Sequence, residues 1–206
     1  MTTARQSPRA RNARGEGAKL RLEIVAAAGR LLDATGNPDA VTLRAVAREI
    51  GVAAPSIYAH FPDREAIVQA LIEEGYAEVV AEIVAARDTE TDPVKQLEAG
   101  VRAYLRYALD NPARYTVMLG RPGSPDPEPR RGVDDPATIS FQLLVTAIND
   151  CVREGRSSSS DSHRSATAIM VAIHGYALLK PQRPTFPWPP EDEFVSYLIS
   201  TLAGIE

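Results

Sequence analysis

The sequence predicts an all-α fold of about nine helices, in which a small N-terminal three-helix unit precedes a larger helical bundle. Three observations predict it. Apolar residues recur at three- and four-residue spacing through most long segments. No segment has the apolar–polar alternation of a half-buried strand. Clusters of Gly, Pro and Asp cut the chain into pieces of helix length.

Each element follows in order. Residues 1–17 hold Arg5, Arg9, Arg11 and Arg14 among small and polar residues, which predicts a disordered basic arm, either merely solvated or touching DNA phosphates or the minor groove. Leu20, Ile24, Ala28, Leu31 and Leu32 mark helix one, stopped by Gly36-Asn37-Pro38. Thr42 caps helix two, with Leu43, Val46, Ala47 and Ile50 inward. Gly51 permits an abrupt turn at positive φ into a short third helix, Ala54 to His60, anchored by Val52, Ile57 and Phe61. Asp63 caps a long fourth helix reaching about Arg87. After a polar break over 88–92, Pro93 suits the first turn of a helix to about Leu109, and Asn111-Pro112 starts a short one. Pro122, Pro125, Pro127 and Pro129 make 120–136 a long mobile loop. A helix carrying Ile139, Leu143, Ile148 and Val152 follows, then a Gly-Ser break over 155–160. The last two helices cover about Arg164–Leu179 and Glu191–Leu202, joined by a proline-rich connector over 180–190. The domains are thus 18–64, with helix four (64–87) as connector, and 88–206.

Composition narrows the function. The 206 residues are 44% apolar and 24% charged, enough for a core in one large or two small domains. No apolar run approaches the roughly 20 residues that cross a bilayer, and the N-terminus lacks a signal peptide's apolar stretch, so a cytoplasmic protein without membrane contact is expected. The single cysteine, Cys151, excludes an intramolecular disulfide or a multi-thiolate metal site and reads as core. The net charge of −4 is divided unevenly: residues 1–64 carry ten Lys or Arg against six Asp or Glu, and the remainder carries −8. A basic module on an acidic body suits phosphate binding, although a solvated asymmetry gives the same counts.

The stretch from Thr42-Leu43-Arg44 through Gly51-Val52-Ala53-Ala54-Pro55-Ser56-Ile57-Tyr58-Ala59-His60-Phe61, extended by Asp63-Arg64-Glu65, resembles the DNA-binding helix-turn-helix of the TetR family. The resemblance is strong over 20–75. It implies a dimer that reads double-stranded DNA at a pseudo-palindromic operator, with one recognition helix per major groove. By it, Thr42, Tyr58, His60 and Arg64 are phosphate contacts, with Arg44 and Ser56 the base readers. Ala54 and Pro55 can offer only apolar contact, as to a thymine methyl. Capping alone explains Thr42, and core packing or solvation is the rival for the others. Ala53 stands where a capping serine is frequent, leaving the recognition helix without a side-chain cap.

His174-Gly175, Phe186-Pro187-Trp188-Pro189 and Asn111-Pro112-Ala113-Arg114-Tyr115 are similar to the C-terminal region of one TetR subgroup. That resemblance implies a homodimer through the last two helices, whose Ile169, Ile173, Ala177, Phe194, Val195, Leu198 and Leu202 form stripes wide enough for core plus partner, although core alone would also explain them. It also implies a pocket for a small-molecule effector, with Tyr104, Tyr107, Met118, Phe141 and His174 as candidate lining; ordinary core is the rival for each. The function expected is a repressor released by its effector. An activator of the same fold, a helical-bundle enzyme using His163 or His174, and an interaction protein without DNA binding are the alternatives. No catalytic motif, cofactor site or metal site is evident, so no cofactor and no enzymatic activity are expected.

Overall fold

A computed structural model describes residues 16–120 and 136–205. Nearly all of the expected basic arm and proline-rich loop lies outside the described residues. Among the described residues there are nine α-helices, no strand beyond one isolated bridge between Ser157 and Ile205, and no helix long and apolar enough to cross a membrane. The chain forms two compact units, dividing between Ala70 and Leu71.

Unit 1 contains α1 (Glu16–Thr35), a 3-10 turn (Pro38–Ala40), α2 (Leu43–Glu49), α3 (Ala54–Tyr58) and the first part of α4 (Arg64–Arg87). Its core gathers Ile24, Leu32, Val46, Ile57, Phe61 and Ile67, all fully or almost fully buried. The caps follow the sequence: Thr42 Oγ1 accepts from the Ala45 amide at 3.1 Å, and Asp63 Oδ1 from the Ala66 amide at 2.8 Å. Gly51, at φ +69°, makes the turn between α2 and α3 in a region where a Cβ would be strained. Two boundaries differ from expectation. Helix α1 starts at Glu16, earlier than the apolar pattern, with an exposed Lys19–Glu23 pair at 3.8 Å on its first turns. Helix α3 ends at Tyr58, and the backbone tightens so that the His60 and Phe61 amides both donate to the Ile57 carbonyl.

Unit 2 contains the rest of α4 with α5 (Pro93–Asp110), α6 (Pro112–Met118), α7 (Pro136–Arg153), α8 (Ser162–Gln182) and α9 (Glu191–Leu202). Leu97, Leu105, Tyr115, Ile148, Ile169 and Ile199 are the large buried side chains of its main core. Asp92, which the sequence placed in a polar break, and Asp161 cap α5 and α8 through their carboxylates. Helix α8 runs to Gln182, three residues past Leu179 and through Pro181, before the connector begins. That connector is held in place: Tyr176 Oη donates to the Pro189 carbonyl at 2.8 Å and Trp188 Nε1 to the Arg183 carbonyl at 2.9 Å. Cys151 is buried, and desolvation pushes its thiol up to about 11, as suits a core residue.

Candidate nucleic-acid interface and ligand cavity

In unit 1 the buried anchors decide which way α2 and α3 face. Leu43, Val46 and Ala47 on α2, with Ile57 on α3, point into the core, which leaves Thr42, Arg44, Pro55 and Tyr58 exposed. Tyr58 keeps 56% of its surface free, so packing in the small core, its chief rival role, does not apply. Ala54, Ser56 and His60 are half-buried. The His60 ring lies beside the first turn of α1, where a Cβ on Gly17 would stand 3.7 Å from its Cε1. Ala53 supplies no side-chain cap to α3, and Pro55 in the first turn offsets part of that loss by fixing φ.

Arg64 is placed differently from the other expected phosphate contacts. Its Nε donates to the Val41 carbonyl at 3.0 Å and its Nη2 to the Pro38 carbonyl at 2.6 Å, with Asp39 Oδ1 at 3.4 Å from Nη2 and Glu65 Oε1 at 3.7 Å from Nη1. The guanidinium thereby fastens the start of α4 to the segment entering α2. Sequence spacing gave no sign of this, because the carbonyls belong to residues 23 and 26 positions earlier. Another unforeseen brace is Arg21, whose guanidinium carbon sits 4.3 Å above the centre of the Phe61 ring.

Unit 2 holds a cavity of about 150 Å³, walled by α4, α5, α7 and α8. Three of the five expected lining residues, Tyr104, Phe141 and His174, belong to its wall; Arg87, Gln96 and Met170 are members the sequence did not single out. Tyr107 and Met118 are outside the wall, packed with Val79 and Ile83 in a separate cluster. Two features hold them there. Tyr107 Oη donates to Glu78 Oε2 at 2.9 Å, and Met118 occupies space left by Gly75, where a Cβ would come within 2.7 Å of its Sδ. The same Glu78 receives Arg114 Nη1 at 3.2 Å, and burial together with the neighbouring Glu78 charge raises the Glu74 carboxyl above its ordinary range.

At one end of the cavity the sequence motifs of α6 and α8 meet. The Tyr104 ring stands edge-on to Tyr115 and to His174, with centroids 6.1 and 5.8 Å away, and Tyr115 pairs through its hydroxyl with His174 Nδ1. Burial raises both phenols and lowers His174, so the imidazole is neutral at pH 7. The proton of that bond sits on the phenol or on Nδ1, and Nε2 takes the complementary role of donor or acceptor.

The stripes expected to serve both core and partner resolve into core. Ile169, Ile173, Ala177, Val195 and Leu198 are buried within the chain, and Phe194 and Leu202 pack partly against them. The outward apolar residues are instead Val171 and Leu179 on α8, at 62% and 46% exposure, and Tyr197 on α9, at 66%. Val171, Gly175 and Leu179 recur at four-residue spacing along one face of α8.

Family comparison agrees with this division. Residues 24–71 match the family described as bacterial regulatory proteins, tetR family, and residues 97–202 match the tetracyclin repressor-like C-terminal domain. The nucleoid occlusion factor SlmA of Vibrio atlanticus is 24% identical over 182 residues, covering 86% of this chain and 91% of its own. Among solved structures, a Rhodococcus sp. RHA1 protein of unknown function superposes with a TM-score of 0.75 at 27% identity, over 90% of this chain and 95% of that one. The transcriptional regulator FadR of Bacillus subtilis, solved with stearoyl-CoA, shares the fold with a TM-score of 0.71 at 14% identity, over 90% and 99% of the two chains.

Proposed function

The chain belongs to the tetR family of bacterial regulatory proteins, and we propose that it is a homodimeric repressor that leaves a pseudo-palindromic operator when a small molecule enters the unit 2 cavity. Membership makes it a DNA-binding, ligand-responsive transcriptional regulator. The observation that carries the DNA-binding half is the exposure of Thr42, Arg44, Pro55 and Tyr58 around a recognition helix whose apolar anchor, Ile57, is fully buried. Tyr58, Thr42 and His60 are assigned to phosphates, Arg44 and Ser56 to base edges, and Ala54 and Pro55 to apolar contact with a thymine methyl. Arg64 is reassigned from phosphate contact to brace, since its Nε and Nη2 donate to carbonyls within unit 1.

Dimerisation is assigned to the outward face of α8 and α9 around Val171, Leu179 and Tyr197, which would otherwise leave large apolar side chains in water. An effector relieves repression only if it favours one arrangement of α4, the continuous helix from Arg64 to Arg87 that belongs to both units. Selection of bound fragments from the native genome tests the reading, because it returns the operator and the neighbouring genes together. Tyr58→Ala should weaken binding to all sequences, whereas Ser56→Ala should change preference at one or two positions. A chain that retains no DNA from a random pool at low salt would refute the assignment.

A further inference from the structure

The cavity wall has one charged member among the described residues, Arg87, the last residue of α4. Only 17% of its side chain is exposed. Its Nε is buried without a hydrogen-bond partner, the one such side-chain nitrogen or oxygen among the described residues. Its acidic neighbour, Asp150, stands 4.0 Å from Nη2 and is also paired with Arg153. A buried cationic N–H without an acceptor is costly, and folded chains rarely keep one without use.

The other polar groups of the wall are uncharged and donate hydrogen bonds elsewhere in the chain. Gln96 Nε2 donates to the Glu90 carbonyl at 2.8 Å, Ser140 Oγ to the Ala137 carbonyl at 2.9 Å, and Tyr76 Oη to the Met118 carbonyl at 3.4 Å. His174 Nδ1 is engaged by the Tyr115 hydroxyl, and the Tyr104 ring packs edge-on to both. The one charge the wall offers an occupant is therefore the Arg87 guanidinium, in a lining of Leu97, Val101, Phe141 and Leu144.

We propose that the cavity binds a small monocarboxylic acid with an apolar body of about one ring, and that Arg87 holds its carboxylate. This rests on the cavity being the effector site. Once the guanidinium turns from Asp150 and brings its buried Nε to the cavity, the Nε and Nη2 edge matches a carboxylate with two parallel donors. A single positive charge balances a monoanion, while a dianion would keep an unpaired charge in an apolar wall and a cation would be repelled. The volume, about 150 Å³, matches the roughly 150 Å³ at which an apolar protein cavity accepts benzene. Because Arg87 ends α4, a carboxylate that draws it from Asp150 acts directly on the helix that belongs to both units.

Calorimetric titration of the full chain at pH 7.5 with phenylacetate and with its neutral counterpart phenylacetamide tests the proposal. The acid should bind about tenfold or more tighter than the amide, the yield of a charge-assisted hydrogen bond. Arg87→Met should shrink the preference to about twofold or less while the amide still binds, and Asp150→Asn should widen it. Equal binding of acid and amide to the parent chain would overturn the anionic class while leaving the effector cavity in place. Binding of neither would remove both. A preference that survives in Arg87→Met, with thermal unfolding confirming that the variant is folded, would overturn the assignment of Arg87.

Discussion

Replacing Arg64 with alanine removes two hydrogen bonds from a charged donor, to the Val41 carbonyl at 3.0 Å and the Pro38 carbonyl at 2.6 Å. Such bonds contribute about 1.5–3 kcal/mol each when well shielded. With 27% of the side chain exposed, about 1–1.5 kcal/mol apiece is the better figure, and the pairs with Asp39 and Glu65 add little on an open surface. The expected loss is about 2–3 kcal/mol, which lowers Tm by about 5–10 °C in a chain of this size. Arg64→Lys keeps the charge but cannot span both carbonyls with a planar fork, so it should recover less than half of that loss. Thermal unfolding by circular dichroism gives the stability, and fluorescence anisotropy against salt gives the number of phosphates engaged. A brace lowers Tm and leaves the salt slope of the folded protein nearly unchanged. Were Tm unmoved, with the salt slope reduced by about one and restored by lysine, Arg64 would be a phosphate ligand and the bracing argument would be wrong.

Ala53→Ser should stabilise the protein by about 0.5–1 kcal/mol, because residue 53 has the extended backbone of a capping residue but no oxygen to accept from the first turn of α3; an unchanged or lowered Tm would count against it. Val171→Arg should convert dimer to monomer in sedimentation experiments, since it places a charge on the outward face of α8, and an unshifted dimer would send the interface elsewhere. His174, lowered by burial from 6.5, binds its proton more readily in the unfolded chain, so its stabilising effect is whole above pH 6.5 and is lost as pH falls from there towards the folded value. The slope is at most about 1.4 kcal/mol per pH unit, and thermal unfolding between pH 7.5 and 5.5 should be flatter in His174→Gln than in the parent. Glu74, raised by burial, acts in the opposite sense from about pH 4.5 upward in both proteins, so the difference between them isolates the histidine. Gly100→Leu should weaken phenylacetate binding about tenfold or more without altering operator affinity, because even its Cβ would stand 3.3 Å from the Arg87 side chain and the remainder fills the cavity; undiminished probe binding would argue that the probe lies elsewhere.

The helix-turn-helix was legible because local chemistry determines it. Thr42, Gly51, Asp63 and the apolar positions of α2 and α3 act over a few residues, and the observed caps and turn follow from them. Boundaries shifted where packing or backbone tightening decided them, as at Glu16, Tyr58 and Gln182. In unit 2 the helices and their inward stripes were legible, but the apolar residues left outside were not. Ile169 and Val171 are both apolar and two positions apart on α8, yet one is wholly buried and the other 62% exposed, because neighbouring helices, not composition, choose the inward side. Tyr104 and Tyr107 on α5 divide for a like reason: only Tyr104 reaches the cavity wall, because Glu78 and the gap at Gly75 hold Tyr107 and Met118 against Val79 and Ile83, a pairing across some 30–40 positions that one sequence does not display.

Helix α4 makes the point about charge more sharply, since it begins and ends with arginine and the two have opposite states of satisfaction. Arg64, which the family resemblance assigned outward to phosphate, spends its donors on carbonyls within unit 1. Arg87, which the sequence offered only as a helix end, keeps an unpaired buried Nε and a loose 4.0 Å contact with Asp150. An effector changes DNA affinity only through contacts that differ between two arrangements of the protein, and a brace already bonded to two carbonyls of its own unit offers little such difference. An unsaturated guanidinium beside a competing carboxylate does: with the cavity empty Arg87 has only Asp150, and with an anion bound it has a second, better-placed acceptor. Regulation then requires that the α4 geometry favouring the bound anion disfavour operator binding, and that coupling is measurable as the fall in operator affinity at saturating phenylacetate. It should disappear in Arg87→Met even at amide concentrations that fill the cavity.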